Sequence, residues 1–277
     1  MTMVWMVWPV AILAALLILY LWLIAPRRRH PAADLLTGRL YAHRELHDGN
    51  QTVPENSLAA FRRAVDAGYG IELDVQLTGD GQLVVHHDGN TLRVCGKDAD
   101  IRRTVSAALP LLPDGTAIPP FAEVLRLVAG RVPLIVEIKH YGSPTENAAA
   151  TLEALRGYPG PYCVESFHPL AVRYFRQRAP GVVRGQLAMG GLRNPSESSL
   201  VAYLALKYLL VNAIGRPHFV AYSCTADRNL SLFFMKRVFR PLLAAWTIRD
   251  EATLAQARKS YQMLIFERFT PGEARQR

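Results

Sequence analysis

Cysteine is scarce in this chain of 277 residues: Cys95, Cys163 and Cys224 are odd in number, far apart and free of any Cys-x-x-Cys or Cys/His spacing. That excludes a disulfide-stapled scaffold and a cysteine zinc site, and it fits a reducing compartment. The sequence also lacks a G-x-G-x-x-G or G-x-x-x-x-G-K-[ST] loop, so the phosphate cradles of nucleotide-binding folds are missing. No RNA-binding or helix-turn-helix signature accompanies the net charge of +9, which sets nucleic acid aside as a partner. A basic surface of this kind suits an anionic substrate or an acidic lipid headgroup.

Charge is absent from the first 26 residues, where "MVWMVWPVAILAALLILYLWLIAP" runs without interruption. At 1.5 Å per residue such a run approaches the ~30 Å of a bilayer's hydrocarbon, and it reads as one N-terminal transmembrane helix over residues 1–25. A cleaved signal peptide needs its cations before the apolar run, whereas here Arg27, Arg28 and Arg29 follow it. By the positive-inside rule they place the remainder on the cytoplasmic side of a single-pass protein. A basic juxtamembrane linker over 26–37 then leads into one domain over 38–277.

From residue 38 onward, β-type runs alternate with amphipathic helical patterns. The runs are "RLYAH", "GIELDV", "LIVEI", "YCVESF", "VRGQLAM", "HFVAYSC", "LLAAWTI" and "MLIFE". Eight such units over about 240 residues have the rhythm of an α/β fold, a TIM (β/α)₈ barrel. Two runs joined through "GDG" in "IELDVQLTGDGQLVVHHD" add a β-hairpin, and residues 90–117 read as a small insertion. The apolar stretch at 199–215 is broken by Lys207 and Asn212, which favours a barrel helix or a surface-lying helix over a second span.

Side chains two apart on a strand share a face, so Glu72 and Asp74 point one way and Ile71, Leu73 and Val75 the other. Two neighbouring carboxylates repel unless a cation joins them, and a hard divalent ion is the usual partner of oxygen ligands. A two- or four-residue hairpin loop puts His87 on the carboxylate face and His86 on the other, while a three-residue loop reverses this; Asp-Gly favours the two-residue form. His43 and Arg44 end one strand, and Glu137 and Lys139 end another. Converging at a barrel mouth, three acids could bind one metal, two histidines could serve as acid and base, and Arg44 with Lys139 could hold an anion such as phosphate.

These residues resemble the glycerophosphodiester phosphodiesterase family. The likeness lies in "AHRE" for a His-Arg-Gly opening, "PENSLAAF", "ELDV", "TGDGQLVVHHD", "IPPFAEVL" and "EIK", with weaker echoes in "ESFHP" and "WTIRDEATL". The resemblance implies a TIM-barrel phosphodiesterase releasing glycerol 3-phosphate and an alcohol. Glu72, Asp74 and Glu137 would hold one divalent cation, Mg²⁺ or Ca²⁺; His43 and His87 would be the acid/base pair; Arg44 and Lys139 would contact phosphate. Ser57 reads as a helix-start residue and Glu55 as a support for the mouth. Two departures stand out: Glu45 where the family has Gly, and "IFERF" where it ends in Thr-Asp. Alternatives are a lysophospholipase D acting on membrane lysophospholipids, or a catalytically weak barrel that binds anionic headgroups.

Overall fold

The computed structural model of the protein describes residues 2–28, 30–190, 199–226 and 229–272, with side chains of the first helix described from Trp8 onward. Its strands are β1 (Arg39–His43), β2 (Gly70–Leu77), β3 (Leu83–Val85), β4 (Leu134–Ile138), β5 (Tyr162–Ser166), β6 (Val183–Ala188), β7 (Phe219–Ser223), β8 (Leu242–Ile248) and β9 (Met263–Phe266). All but β3 run parallel, and β1 pairs with both β2 and β9, so eight strands close into a barrel. Each of the eight sequence-derived runs is one of these strands. β3 lies antiparallel on the upper half of β2.

The helices are α1 (Thr2–Ile24), α2 (Leu58–Asp66), α3 (Leu92–Cys95), α4 (Phe121–Val128), α5 (Pro144–Ala154), α6 (Pro169–Arg178), α7 (Leu200–Lys207), α8 (Asn212–Gly215), α9 (Leu230–Phe234) and α10 (Glu251–Ala257). Local chemistry sets their starts: Ser57, Ser143, Ser199, Asn229 and Asp250 each accept a backbone N–H of the following first turn, a capping bond whose loss costs about 1 kcal/mol. The stretch at 199–215 is not one helix. It divides into α7, which buries no residue, and α8, which buries Asn212 and Gly215.

The two-residue period of the strands sorts the core. Leu40, Ile71, Leu73, Val75, Val136 and Val164 face outward and pack beneath the helices with Phe61, Phe121 and Phe175. Tyr41, Ile135, Cys163, Phe219, Ala221, Ala244 and Ile265 form the separate inner core. Space inside is tight: a Cβ on Gly70 would lie 2.6 Å from the Tyr41 ring, and one on Gly185 would lie 2.2 Å from Phe219. Part of the segment expected as a linker belongs to the barrel itself. A 3₁₀ turn, Pro31–Leu36, buries Ala33 and Leu36 against the inner core, and Tyr41 Oη donates to Leu36 O at 2.6 Å. It closes the N-terminal end.

Among the described residues no helix is long and apolar enough to cross a membrane. The expected span is therefore not found. The last turn of α1 is docked on the barrel, with Ile24 buried and Asn212 Nδ2 donating to Ile24 O at 2.8 Å. Arg29, one of the cations that orients the expected span, lies outside the described residues.

Candidate active site

Going up each inward stripe, apolar side chains give way to ionisable ones at the C-terminal mouth: Tyr41 to His43 on β1, Ile135 to Glu137 on β4, Cys163 to Glu165 on β5 and Ile265 to Glu267 just past β9. Strand register levels them, with His43 beside Glu72 and a row of Asp74, Glu137 and Glu165 across β2, β4 and β5. Barrel closure thus brings together side chains as far apart in sequence as His43 and Glu267.

Glu72, Asp74 and Glu137 are buried, and one oxygen of each lies within 4.8 Å of the other two. Burial, then the carboxylates of Asp74, Glu137 and Glu165, push the Glu72 carboxyl well above its usual range. Burial acts the same way on Asp74, but Lys139, His87 and Arg44 overcome it and hold that acid well below its range. Lys139 Nζ lies 2.8 Å from Glu137 Oε1 and 3.3 Å from Asp74 Oδ1, and these charges raise its pKa against burial. Asp74 Oδ2 is buried without a hydrogen-bond partner. Three converging oxygen donors, with like-charge repulsion only partly relieved, fit a hard divalent cation.

Arg44 enters from the loop after β1. Its Nη1 donates to Glu55 Oε1 at 3.0 Å, and its Nε sits 3.8 Å from Asp74 Oδ2. Glu55 also accepts from both terminal nitrogens of Arg93, at 2.8 and 2.6 Å. The two arginines outweigh burial and bring its carboxyl down to about 2. Glu55 thus links Arg44 and Arg93, where the sequence suggests only a support for the mouth. Arg93, from α3 in the insertion, has no local sequence signal.

The hairpin differs from expectation. Val75 pairs with Val85 and Leu77 with Leu83, leaving a five-residue connection, Thr78 to Gln82. This odd length reverses the parity argument, and His86, not His87, stands across from Asp74, its N–H donating to Asp74 O at 3.0 Å. Strand pairing stops at Val85, however, so parity does not govern the side chains beyond it. The His86 ring is buried with Nε2 3.1 Å from Asn90 O. His87 is partly exposed, has Nδ1 2.6 Å from Asp88 Oδ1, and is among the groups that lower Asp74.

His43 lies with Nε2 3.8 Å from Glu72 Oε2 and Nδ1 3.3 Å from Glu267 Oε1. Burial lowers the His43 pKa, and Glu267 opposes that shift. Glu267 receives Arg249 Nε at 3.1 Å, and its backbone N–H donates to Ile248 O. Burial would raise the Glu267 acid, but His43 and Arg249 keep it well below its range. This carboxylate is the main site residue that the sequence reading missed, although "IFERF" marked its position as unusual. Glu165 is a second, with Oε2 buried and unpartnered and its carboxyl driven well up by burial and by Glu137.

Glu45 has φ +69° and Arg44 φ +54°, a backbone region that favours glycine, since a side chain there costs about 1 kcal/mol. Glu45 does not project into the mouth as free charge. It is buried, with Oε2 accepting Asn56 N at 2.8 Å, and burial followed by Asp74 pushes its carboxyl well up.

A closed parallel barrel with an acid cluster, histidines, a half-buried Arg44 and a buried Lys139 at its C-terminal mouth defines a TIM-barrel hydrolase acting on an anionic ester. The match to the glycerophosphoryl diester phosphodiesterase family covers residues 47–266; the chain belongs to that family and is a phosphoric diester hydrolase. It is 31% identical over 170 residues to a glycerophosphodiester phosphodiesterase of Caldanaerobacter subterraneus subsp. tengcongensis, covering 56% of this chain and 70% of the relative. Among solved structures it resembles a glycerophosphodiester phosphodiesterase of Thermotoga maritima, with TM-score 0.63 and 26% identity over 82% of this chain and 93% of the other. It also has the fold of an Oleispira antarctica phosphodiesterase solved with the product sn-glycerol-3-phosphate, with TM-score 0.68 and 22% identity over 85% and 94% of the two chains.

Proposed function

We propose that the protein hydrolyses glycerophosphodiesters to glycerol 3-phosphate and an alcohol. The carrying observation is the Glu72, Asp74 and Glu137 cluster with His43, Arg44 and Lys139 close around it. Those three carboxylates would hold one divalent cation, Mg²⁺ or Ca²⁺, which when bound supplies Lewis-acid neutralisation of the phosphate oxygens. Arg44, kept in place by Glu55, and Lys139 bind the remaining phosphate oxygens through charge-assisted hydrogen bonds.

His43, whose Nδ1 faces the Glu267 carboxylate at 3.3 Å, would keep its proton on that nitrogen and present an unprotonated Nε2 that takes a proton from the nucleophile. His87, anchored through Nδ1 on Asp88, offers its other edge to protonate the departing alkoxide. Outside the mouth, we read α1 as an anchor embedded in lipid. Arg27 and Arg28 follow it, which favours a cytoplasmic barrel.

The test is release of glycerol 3-phosphate from glycerophosphocholine by the full chain, with the divalent ions stripped by chelator and then added back singly. Turnover should stop in chelator and return with Mg²⁺ or Ca²⁺. Undiminished turnover in excess chelator would remove the metal role, and no release under any ion would remove the reaction.

A further inference from the structure

We propose that the barrel is mounted with its open, site-bearing end toward the lipid layer that α1 enters, a deduction that rests on the reading of α1 as a lipid-embedded anchor. The helix changes character at Tyr20. Every residue from Trp8 to Leu19 is exposed, and none carries a charge. From Tyr20 on, the helix is docked: Ile24 is fully buried, Asn212 Nδ2 donates to Ile24 O at 2.8 Å, and Arg216 donates to Trp22 O at 2.7 Å and Ala25 O at 3.0 Å. These bonds satisfy carbonyls that a helix C-terminus leaves without partners.

Two of the docking contacts give the direction. Arg27 N–H donates to Pro217 O at 2.7 Å, and Pro217 lies just before β7 begins, at the closed end of the barrel. Tyr20 Oη is 2.7 Å from Ser231 Oγ, and Ser231 lies on α9, in the connection that leaves the C-terminal end of β7. Followed from Arg27 back to Tyr20, the helix climbs from the closed end toward the mouth. The bare stretch from Trp8 to Leu19 then continues beyond, for about 18 Å at 1.5 Å per residue.

A protein partner covers one stripe of a helix. A helix apolar and uncovered on every side calls for a medium that contacts all sides, which hydrocarbon does. The mouth end carries more of the same surface: α7, whose last carbonyl receives Tyr222 Oη from the top of β7 at 3.0 Å, exposes Leu200 and Val201, and α9 exposes Leu230 and Phe233. Lys207 lies 5.5 Å from the Tyr203 ring centroid and 5.9 Å from that of Tyr208, a grouping of aromatic and cationic side chains suited to a headgroup boundary. At the closed end the turns leading into strands expose Arg131, Arg156, Arg240 and Lys259 instead, as a face in water does.

Hydrogen exchange of the full chain, in vesicles of phosphatidylcholine and phosphatidylglycerol against detergent micelles, tests the orientation. Lipid should slow exchange in 200–207 and 230–234 and leave 129–132 and 156–160 unchanged. Slowing confined to the latter pair, or to neither, would overturn the proposal. Protection that tracks protein density at fixed lipid would assign the face to a second copy and also overturn it. As an independent arm, Val201→Glu with Phe233→Glu should leave glycerophosphocholine turnover unchanged and cut turnover of lysophosphatidylcholine in vesicles about tenfold, some 1.4 kcal/mol; an equal rate on vesicles would count against the mounting. If the native chain hydrolyses neither substrate, the reaction assignment has failed, while the exchange pattern still decides the orientation.

Discussion

The bare half of α1 and the barrel mouth are opposites in composition and alike in what they leave incomplete. One displays apolar side chains from Trp8 to Leu19 that none of the described residues covers; the other buries Glu72, Asp74, Glu137 and Glu165 with too few cations to balance them. Apolar area left in water forgoes about 25 cal/mol per Å², and clustered buried carboxylates lose solvation that repulsion makes worse. On the proposals above, each region is shaped for something that is not polypeptide: a hydrocarbon layer in one case and a hard cation with a phosphodiester in the other.

The comparison can be broken most severely at the mouth. His43→Ala or His87→Ala should lower kcat for glycerophosphocholine by about 10³-fold with the circular dichroism spectrum unchanged; near-native turnover in either would dissolve the acid/base pair. The counterpart in α1 is Leu13→Glu with Leu16→Glu. At roughly 3 kcal/mol per charge moved into hydrocarbon, the pair should weaken vesicle association by more than about 10²-fold without changing turnover of a soluble substrate. Unaltered flotation with vesicles would remove lipid from the account of α1.

A smaller effect is expected one contact away from the acids. Glu267→Gln should reduce kcat about tenfold at nearly constant KM, with Glu267→Asp recovering part of it, because the carboxylate fixes which nitrogen of His43 carries the proton. Equal losses in both variants, or a loss entirely in KM, would mean that Glu267 only packs. The mildest effect is one of pH. Glu72 holds its proton above the range in which an unfolded chain releases it, so the metal-free fold loses stability as pH rises past that range, and a divalent ion must displace that proton. Affinity measured by calorimetry should tighten with rising pH, by up to about tenfold per unit, until Glu72 is ionised. A flat profile would show the carboxylate already charged.

All eight barrel strands were legible because alternation and branched side chains are local signals, and so was the grouping of Glu72, Asp74 and Glu137. The hairpin loop was not. Its length is set from outside, where Gly79 N–H donates to Thr104 O and Ser106 N–H and Oγ bond to Asp80, and Asp-Gly taken alone points to a shorter turn. Glu267 and Arg93 escaped for the same reason. The first meets His43 only because β9 closes on β1, and the second meets Glu55 only because α3 folds back over the mouth. Glu45 was noticed as a departure, but its burial against Asn56 depends on the path of the following loop.

The short connection between α1 and β1 has a mechanical consequence. Arg27 is bonded to Pro217, and the 3₁₀ turn that follows is sealed into the floor of the barrel, with Tyr41 gripping Leu36. Among the described residues of this stretch, nothing resembles a tether that would let the barrel swing or search a volume. Helix and barrel turn together as a bracket and its fixture, so the height of the site above whatever holds α1 is a fixed dimension of the protein, and the substrate has to come to that height.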